Sequence, residues 1–354
     1  MSSIINFFLK LFGFKKEHQP VMGPTPPSDI SNQYIEYSNT MDVPLPGVAA
    51  DTTMYCFPIV GDYKKIQAVV DQRINFKFEN TSKRFFALSD NMMLVASNIK
   101  RGYTLAPDYK KKGNLKENGA QVFIPLAECE KNESGEWVAK RIVSFIPYIL
   151  VDCVITLITG REQLGFPKAF GKMEIPDGPE DVSKISCEGF GFKVFNDSHT
   201  NFGGFFPWLD ITRTQKDENG IETVWKSMEE AWASITQIFK HKPKDDHFHI
   251  DLPFIWKELD DLKEGISPML FLKQFRDATY PGIACYQEII VGDGRLMKFK
   301  GGGLLGGTYE IVFHDFASFP IKEDFGLADK ITVLEPWWVK ADMEFAVGTT
   351  VQPR

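Results

Sequence analysis

Short runs in which apolar residues alternate with polar ones, or follow one another without interruption, dominate the chain from Met54 onward. Such runs predict strands at Met54–Val60, Arg84–Leu88, Met92–Ile99 and Ala120–Glu128, then a long apolar segment through Ile142–Ile158 that ends at Thr159. That segment carries Phe145, Ile146, Ile149, Leu150, Val151, Val154, Ile155 and Leu157, the composition of strands buried on both faces. Further runs lie at Met269–Gln274, Ala284–Val291, Leu296–Lys300, Thr308–Phe313 and Lys330–Phe345. Asp293-Gly294 between two of them reads as a hairpin signal, and Gly301 to Gly307 as a turn. Between the early strands, Tyr103 to Asn118 is rich in Lys, Gly and Asn and reads as a loop that ends at Glu117.

Helical spacing is confined to a few places. Asp62 caps a short helix whose buried stripe is Ile66, Val69 and Val70. Ser227 to Glu230 has the spacing of a capping box and opens a helix through Met228, Ala231, Trp232, Ile235, Ile238 and Phe239, with a second amphipathic stretch at Leu252–Leu262. Ile4, Phe7, Phe8, Leu11 and Phe12 make the first 16 residues an amphipathic helix without the features of a secretory signal. With Lys15 and Lys16 it can lie on a membrane surface as a peripheral contact, or dock on another subunit. Six prolines between Gln19 and Pro46 then suit an extended linker. The expected organisation is a helix and linker over 1–50 and one folded domain over 51–354.

Composition narrows the function classes. A net charge of -7 leaves no basic footprint for nucleic acid. Five widely spaced cysteines without a C-x-x-C pair suit free thiols in a reducing compartment, so the expected location is cytoplasmic, with membrane association left to the first 16 residues. Thirty phenylalanines and frequent β-branched runs favour sheet, hence a mainly β chain. The glycine run 301–307 has no helix after it to hold a phosphate. His247 and His249 with Asp245 and Asp246 lack the spacing of a zinc site, and no metal or cofactor is expected. No G-x-S-x-G elbow occurs, and Cys153 has no evident histidine partner.

One lysine stands apart. Lys168 follows Phe166-Pro167 just after the long apolar segment, where an amine can be delivered into an apolar pocket. Burial disfavours the ammonium form, and a neutral lysine is a nucleophile toward ketones.

Gly160-Arg161-Glu162, a short spacer and then Phe166-Pro167-Lys168 resemble the signature of the acetoacetate decarboxylase superfamily, whose lysine forms a Schiff base. Leu115 to Gly119 followed by Val122 to Pro125 resembles the family segment that supplies an active-site glutamate, here Glu117, and Phe313 to Pro320 resembles part of the family's C-terminal portion. The similarity runs from about Tyr55 to Phe345, with about 201–265 as a helical insertion. It implies an α+β, mainly β fold, an antiparallel β-barrel or cone, and a homo-oligomer. It also implies a lyase that acts on a small β-keto or oxo acid through a lysine imine, with Lys168 and Glu117 catalytic. Activation of such a lysine by desolvation or a neighbouring cation is described for acetoacetate decarboxylase itself and is carried over here. Tyr148, Leu150, Arg161, Glu162, Phe166 and Phe170 are the expected pocket residues. Three positions depart from the pattern: Ala169 replaces a second lysine, Thr52 or Thr53 stands where an arginine would hold a substrate carboxylate, and Met92 to Ser97 offers no second glutamate. Aldolase or dehydratase chemistry, and ligand binding without turnover, are the alternatives.

Overall fold

The computed structural model describes residues 34–35, 42–215, 224–225 and 265–351. The amphipathic stretch 1–16, most of the proline-rich linker, the inserted helices and the His247 to His249 cluster lie outside the described residues.

Fifteen strands carry the described fold. They are β1 (Gly47–Val60), β2 (Lys83–Ala87), β3 (Asn91–Thr104), β4 (Leu115–Lys131), β5 (Trp137–Val151), β6 (Lys168–Glu174), β7 (Lys184–Gly191) and β8 (Gly204–Gln215). The rest are β9 (Val224–Trp225), β10 (Ile266–Arg276), β11 (Ala284–Leu304), β12 (Thr308–Phe313), β13 (Ile331–Val333), β14 (Trp337–Phe345) and β15 (Thr349–Thr350). Helices α1 (Tyr63–Arg73), α2 (Val154–Thr159) and α3 (Ile321–Phe325) are short. The chain is mainly β, as its composition predicts.

The pairing β5–β10–β11–β14–β1–β3–β4 returns to β5 through the β4–β5 ladder, so seven strands form a closed ring. From β5 a second arm leaves through β6, β7, β8, β12 and β13. The sheet is mixed: its other pairings are antiparallel, in line with the expectation, while β5 pairs in parallel with both β6 and β10. Parallel neighbours need a crossover. That crossover corrects one expectation, because the long apolar run does not stay extended to Thr159. The strand ends at Val151, and Val154–Thr159 coils into α2. A short apolar run carries no period that separates strand from helix, so its neighbours decide.

Two further expectations change. Asp293-Gly294 does not turn; β11 runs straight through it for 21 residues, with Gly294 opposite Ser267 of β10 and Phe345 of β14. Ladders on both flanks leave no room for a reversal. Likewise Gly301, Gly302 and Gly303 belong to β11, and a Cβ on Gly302 would stand 2.9 Å from the Trp225 ring and from the Trp338 carbonyl oxygen. Close packing of tryptophan accounts for that glycine. By contrast, α1 matches expectation: the Asp62 side chain accepts a hydrogen bond from the Lys65 N–H at 3.0 Å, and Ile66, Val69 and Val70 are buried.

Alternation along the ring strands divides the apolar residues between two faces. On β1, Tyr55, Phe57 and Ile59 point into the main core, which also holds Ile66 and Val70 of α1, Phe325 of α3 and Ile211 and Tyr309 of the second arm. Residues of opposite parity, such as Met54, line a cavity bordered by all seven ring strands.

Candidate active site

The turn that delivers Lys168 is built on glycine. After α2, residues Gly160–Leu164 form a wider π-type turn that ends at Gly165 in the left-handed region (φ 85°). The Gly165 and Phe166 N–H groups both donate to the Gly160 carbonyl at 3.0 Å. Gly165 also passes against β10: a Cβ there would lie 2.5 Å from the Lys273 Cα, so position 165 admits no side chain. Gly160 has a different duty. A Cβ on it would stand 2.9 Å from Lys168 Cδ and 3.1 Å from Cε, so its bare α-carbon makes the channel for the lysine stem.

Lys168 opens β6 beside Ile149 of β5, and its Nζ donates to Glu117 Oε2 at 2.9 Å. The two side chains are 11% and 10% exposed, so this is a buried ion pair at the wall of the cavity. The ammonium lies 5.7 Å from the centre of the Phe166 ring, which itself packs on Phe271 with ring centroids 4.0 Å apart. Glu117 is not on a loop, as the Lys, Gly and Asn content of its surroundings suggested. It sits on β4 opposite Ile99 of β3. The neighbouring Asn118 is clamped to Asp152, whose Oδ1 accepts from the Asn118 N–H at 2.7 Å and whose Oδ2 accepts from Nδ2 at 2.9 Å.

The cavity measures about 520 Å³. Two irregularities shape its wall. A bulge in β1 between Ala49 and Thr52 breaks the two-residue alternation, so that both residues face the cavity. It is held by Asp51, a non-glycine residue at φ 52°, whose N–H donates to Asp342 Oδ1 at 2.7 Å. Lys300 bridges both carboxylates at 2.5 Å. Hydrogen bonds from Lys300 first, then Arg101, hold the Asp51 carboxyl below its usual range. A register shift between the Tyr148 and Phe145 pairings does the same on β5 and turns both Ile146 and Ile149 inward.

One side is closed by the end of the stretch read as a surface linker. Val43 N–H donates to Thr159 Oγ1 at 3.0 Å, Leu45 N–H donates to Gln163 Oε1 at 2.8 Å, and Gln163 Nε2 donates to Asp42 Oδ2 at 3.2 Å. Asp42 is buried here, and Val43 and Leu45 line the cavity, so the linker reading is corrected for these residues.

Of the residues expected from sequence, the fold brings Lys168, Glu117 and Phe166 together on this cavity. Tyr148 and Leu150 flank the inward Ile149 and therefore face the opposite core, which corrects the expected lining. The Tyr148 hydroxyl donates to Asp324 Oδ2 at 2.6 Å; burial first, then that carboxylate, push its acidity toward a higher pKa. Leu150 packs where Gly171 and Gly189 leave space. Phe170 stands two residues past Lys168, where β6 passes from β5 to β7, and meets Phe205 edge-on at 5.7 Å. Arg161 and Glu162 line a second hollow of about 520 Å³ on the other side of Phe166, together with Arg73 and Phe271. Arg161 Nη1 donates to the Lys168 carbonyl at 3.1 Å and so reaches its backbone instead of its amine.

Sequence reasoning missed Gln121, Met54 and Ile99 as lining residues. The signal was present in part: Glu117, Gln121 and Phe123 share one parity on β4. The bulges that change parity on β1 and β5 leave no such mark.

No protein-family model matches the sequence, and no curated protein matches it. Solved structures do. The chain is similar to an acetoacetate decarboxylase from Legionella pneumophila at 12% identity and a TM-score of 0.55, over 91% of this chain and 93% of that one. A second acetoacetate decarboxylase structure gives a TM-score of 0.51 at 11% identity, over 90% and 95%. An acetoacetate decarboxylase-like enzyme from Sphingomonas wittichii RW1 gives 0.50 at 12% identity, over 91% and 99%. The chain therefore has the acetoacetate decarboxylase-like fold, as its signature residues imply.

Proposed function

We propose that the protein is a lysine-imine enzyme, a carbon-carbon lyase in the broad sense, with Lys168 as nucleophile and Glu117 as proton carrier. The closed ring is read as the cone of the acetoacetate decarboxylase type, with the reacting amine on its inner wall. The observation that carries the proposal is the buried Lys168–Glu117 pair at 2.9 Å on the wall of a large cavity. A solvated surface lysine would have no such surroundings.

The steps follow from that geometry. The ammonium passes a proton to Glu117, and the neutral amine adds to a carbonyl carbon as the carbonyl electron pair moves to oxygen. Glu117 returns the proton to that oxygen, water leaves, and a protonated C=N bond remains. This iminium accepts the electron pair released when a bond to the neighbouring carbon breaks. Loss of carbon dioxide from a β-keto acid, aldol cleavage or formation, and dehydration all draw on that one electron sink. Decarboxylation is the outcome implied by the family resemblance. Aldolase or dehydratase chemistry is the second reading, favoured by the neutral Thr52 and Ser97 side chains on the cavity where the resemblance leads one to expect charged residues.

The test is borohydride trapping with a panel of ketones, aldehydes and keto acids, followed by peptide mapping. An adduct on Lys168 that disappears in Lys168→Ala supports the proposal. A full panel that leaves Lys168 unlabelled would refute it.

A further inference from the structure

We infer that the Lys168 cavity takes an uncharged, largely apolar ketone or aldehyde in preference to a small keto acid. The inference rests on the imine reading and concerns the substrate that the site selects.

Charge balance is the first argument. Among the described residues lining the cavity, the ionisable acids and bases that carry charge are Lys168, Glu117, Asp42 and Lys112. Lys168 is matched by Glu117, and the iminium formed on condensation keeps only that one positive charge beside the same carboxylate. Asp42 adds a second carboxylate, held by Gln163 Nε2. Lys112 is exposed, and its ammonium lies 3.9 Å from the centre of the Tyr109 ring. A substrate carboxylate would therefore enter as a further anion with no buried cation free to receive it, and burying an unpaired charge is disfavoured. Thr52, one of the two positions nearest to where the resemblance places an arginine, is neutral, and its hydroxyl already donates to the Ala49 carbonyl at 3.1 Å.

Size and lining point the same way. About 520 Å³ falls within the range that holds drug-sized ligands, far more than a four-carbon acid fills. The cavity wall is furnished by Met54, Phe123, Ile149, Leu164, Met269 and Met343, which suit an aliphatic or aromatic body. Methionines in that wall can adapt to its outline. With no carboxylate to lose, the iminium reacts at the neighbouring C–H bond: the proton passes to Glu117, the bonding pair enters the C=N system, and a nucleophilic enamine results. That is the entry to aldol addition or dehydration.

The experiment compares methyl heptyl ketone with acetoacetate at equal concentration in borohydride trapping of the full chain, read as the rate of labelling at Lys168. The expected result is labelling by the ketone at least tenfold faster. Gln121 lies in one lateral row with Ile149 and Lys168, so Gln121→Arg supplies the missing cation and should shift the ratio at least tenfold toward acetoacetate. Equal or faster labelling by acetoacetate in the wild type overturns the inference while leaving the imine reading intact. If neither compound labels Lys168, the imine reading stands or falls with the full panel, and saturation-transfer NMR on the same protein decides the cavity's preference separately. Contact with the ketone alone supports it, and contact with acetoacetate alone overturns it.

Discussion

Removing both partners of the Lys168–Glu117 pair should cost no more than removing either one. The charged atoms are 2.9 Å apart, which at an effective dielectric constant of about 20 corresponds to roughly 6 kcal/mol of attraction. Breaking a buried pair from one side leaves a charge without compensation and typically costs about 3–5 kcal/mol. With 11% and 10% of the two side chains still exposed, the lower end, about 3 kcal/mol, is the expectation for Glu117→Gln and for Lys168→Met. The double variant replaces both charges and should lose no more than either single one, giving a coupling of about 3 kcal/mol. Urea unfolding at neutral pH measures this: with a slope of about 1–3 kcal/mol per molar, each single variant should lower the midpoint by roughly 1 M or more. In parallel, Glu117→Gln should slow borohydride trapping by about 10²–10⁴, the usual contribution of a positioned proton carrier. Single variants that each cost under about 0.5 kcal/mol and simply add would refute the reasoning, because surface pairs behave that way.

Three other outcomes are expected. Gly160→Ala keeps a helical backbone that alanine accepts, yet its methyl group meets the Lys168 stem at 2.9 Å; trapping should fall at least tenfold while the urea midpoint holds or rises. Burial works to raise the Glu128 carboxyl, but Arg141 and Lys83 outweigh it and hold it below the usual range, so its stabilisation is complete above the ordinary carboxyl value of about 4.3 and is lost as pH falls through the lower folded value. The stability gap between wild type and Glu128→Gln, followed by urea unfolding, should therefore be wide at neutral pH and close in acid; a gap that widens in acid would contradict the sign. Burial pushes the Cys56 and Cys129 thiols up to about 12 and raises Cys187 as well, so a thiol reagent should label the exposed Cys285 first, the half-buried Cys153 more slowly, and those three only after unfolding.

The sequence alone carried the strand-rich character, the Asp62 cap with its Ile66, Val69 and Val70 stripe, and the Gly160-Arg161-Glu162 and Phe166-Pro167 motif that singles out Lys168. These are local properties: a two-residue or helical period, a cap, and a short motif. Tertiary structure decided which of two possible faces each run presents. Tyr148 and Leu150 have the apolar character of pocket residues, but the register shift on β5 turns Ile149 inward and sends them to the opposite core. Glu117 sits among loop-forming residues, and only its pairing with Ile99 of β3 makes it part of a strand. Asp293-Gly294 is a turn signal by type, overruled by β10 and β14 on its two sides. Closure of the ring, the parallel pairings of β5, and the meeting of residues 51 positions apart at Lys168 and Glu117 depend on contacts far apart along the chain. Side-chain alternation specifies that a strand has two faces; only the partners that fill those faces determine which becomes core and which becomes cavity.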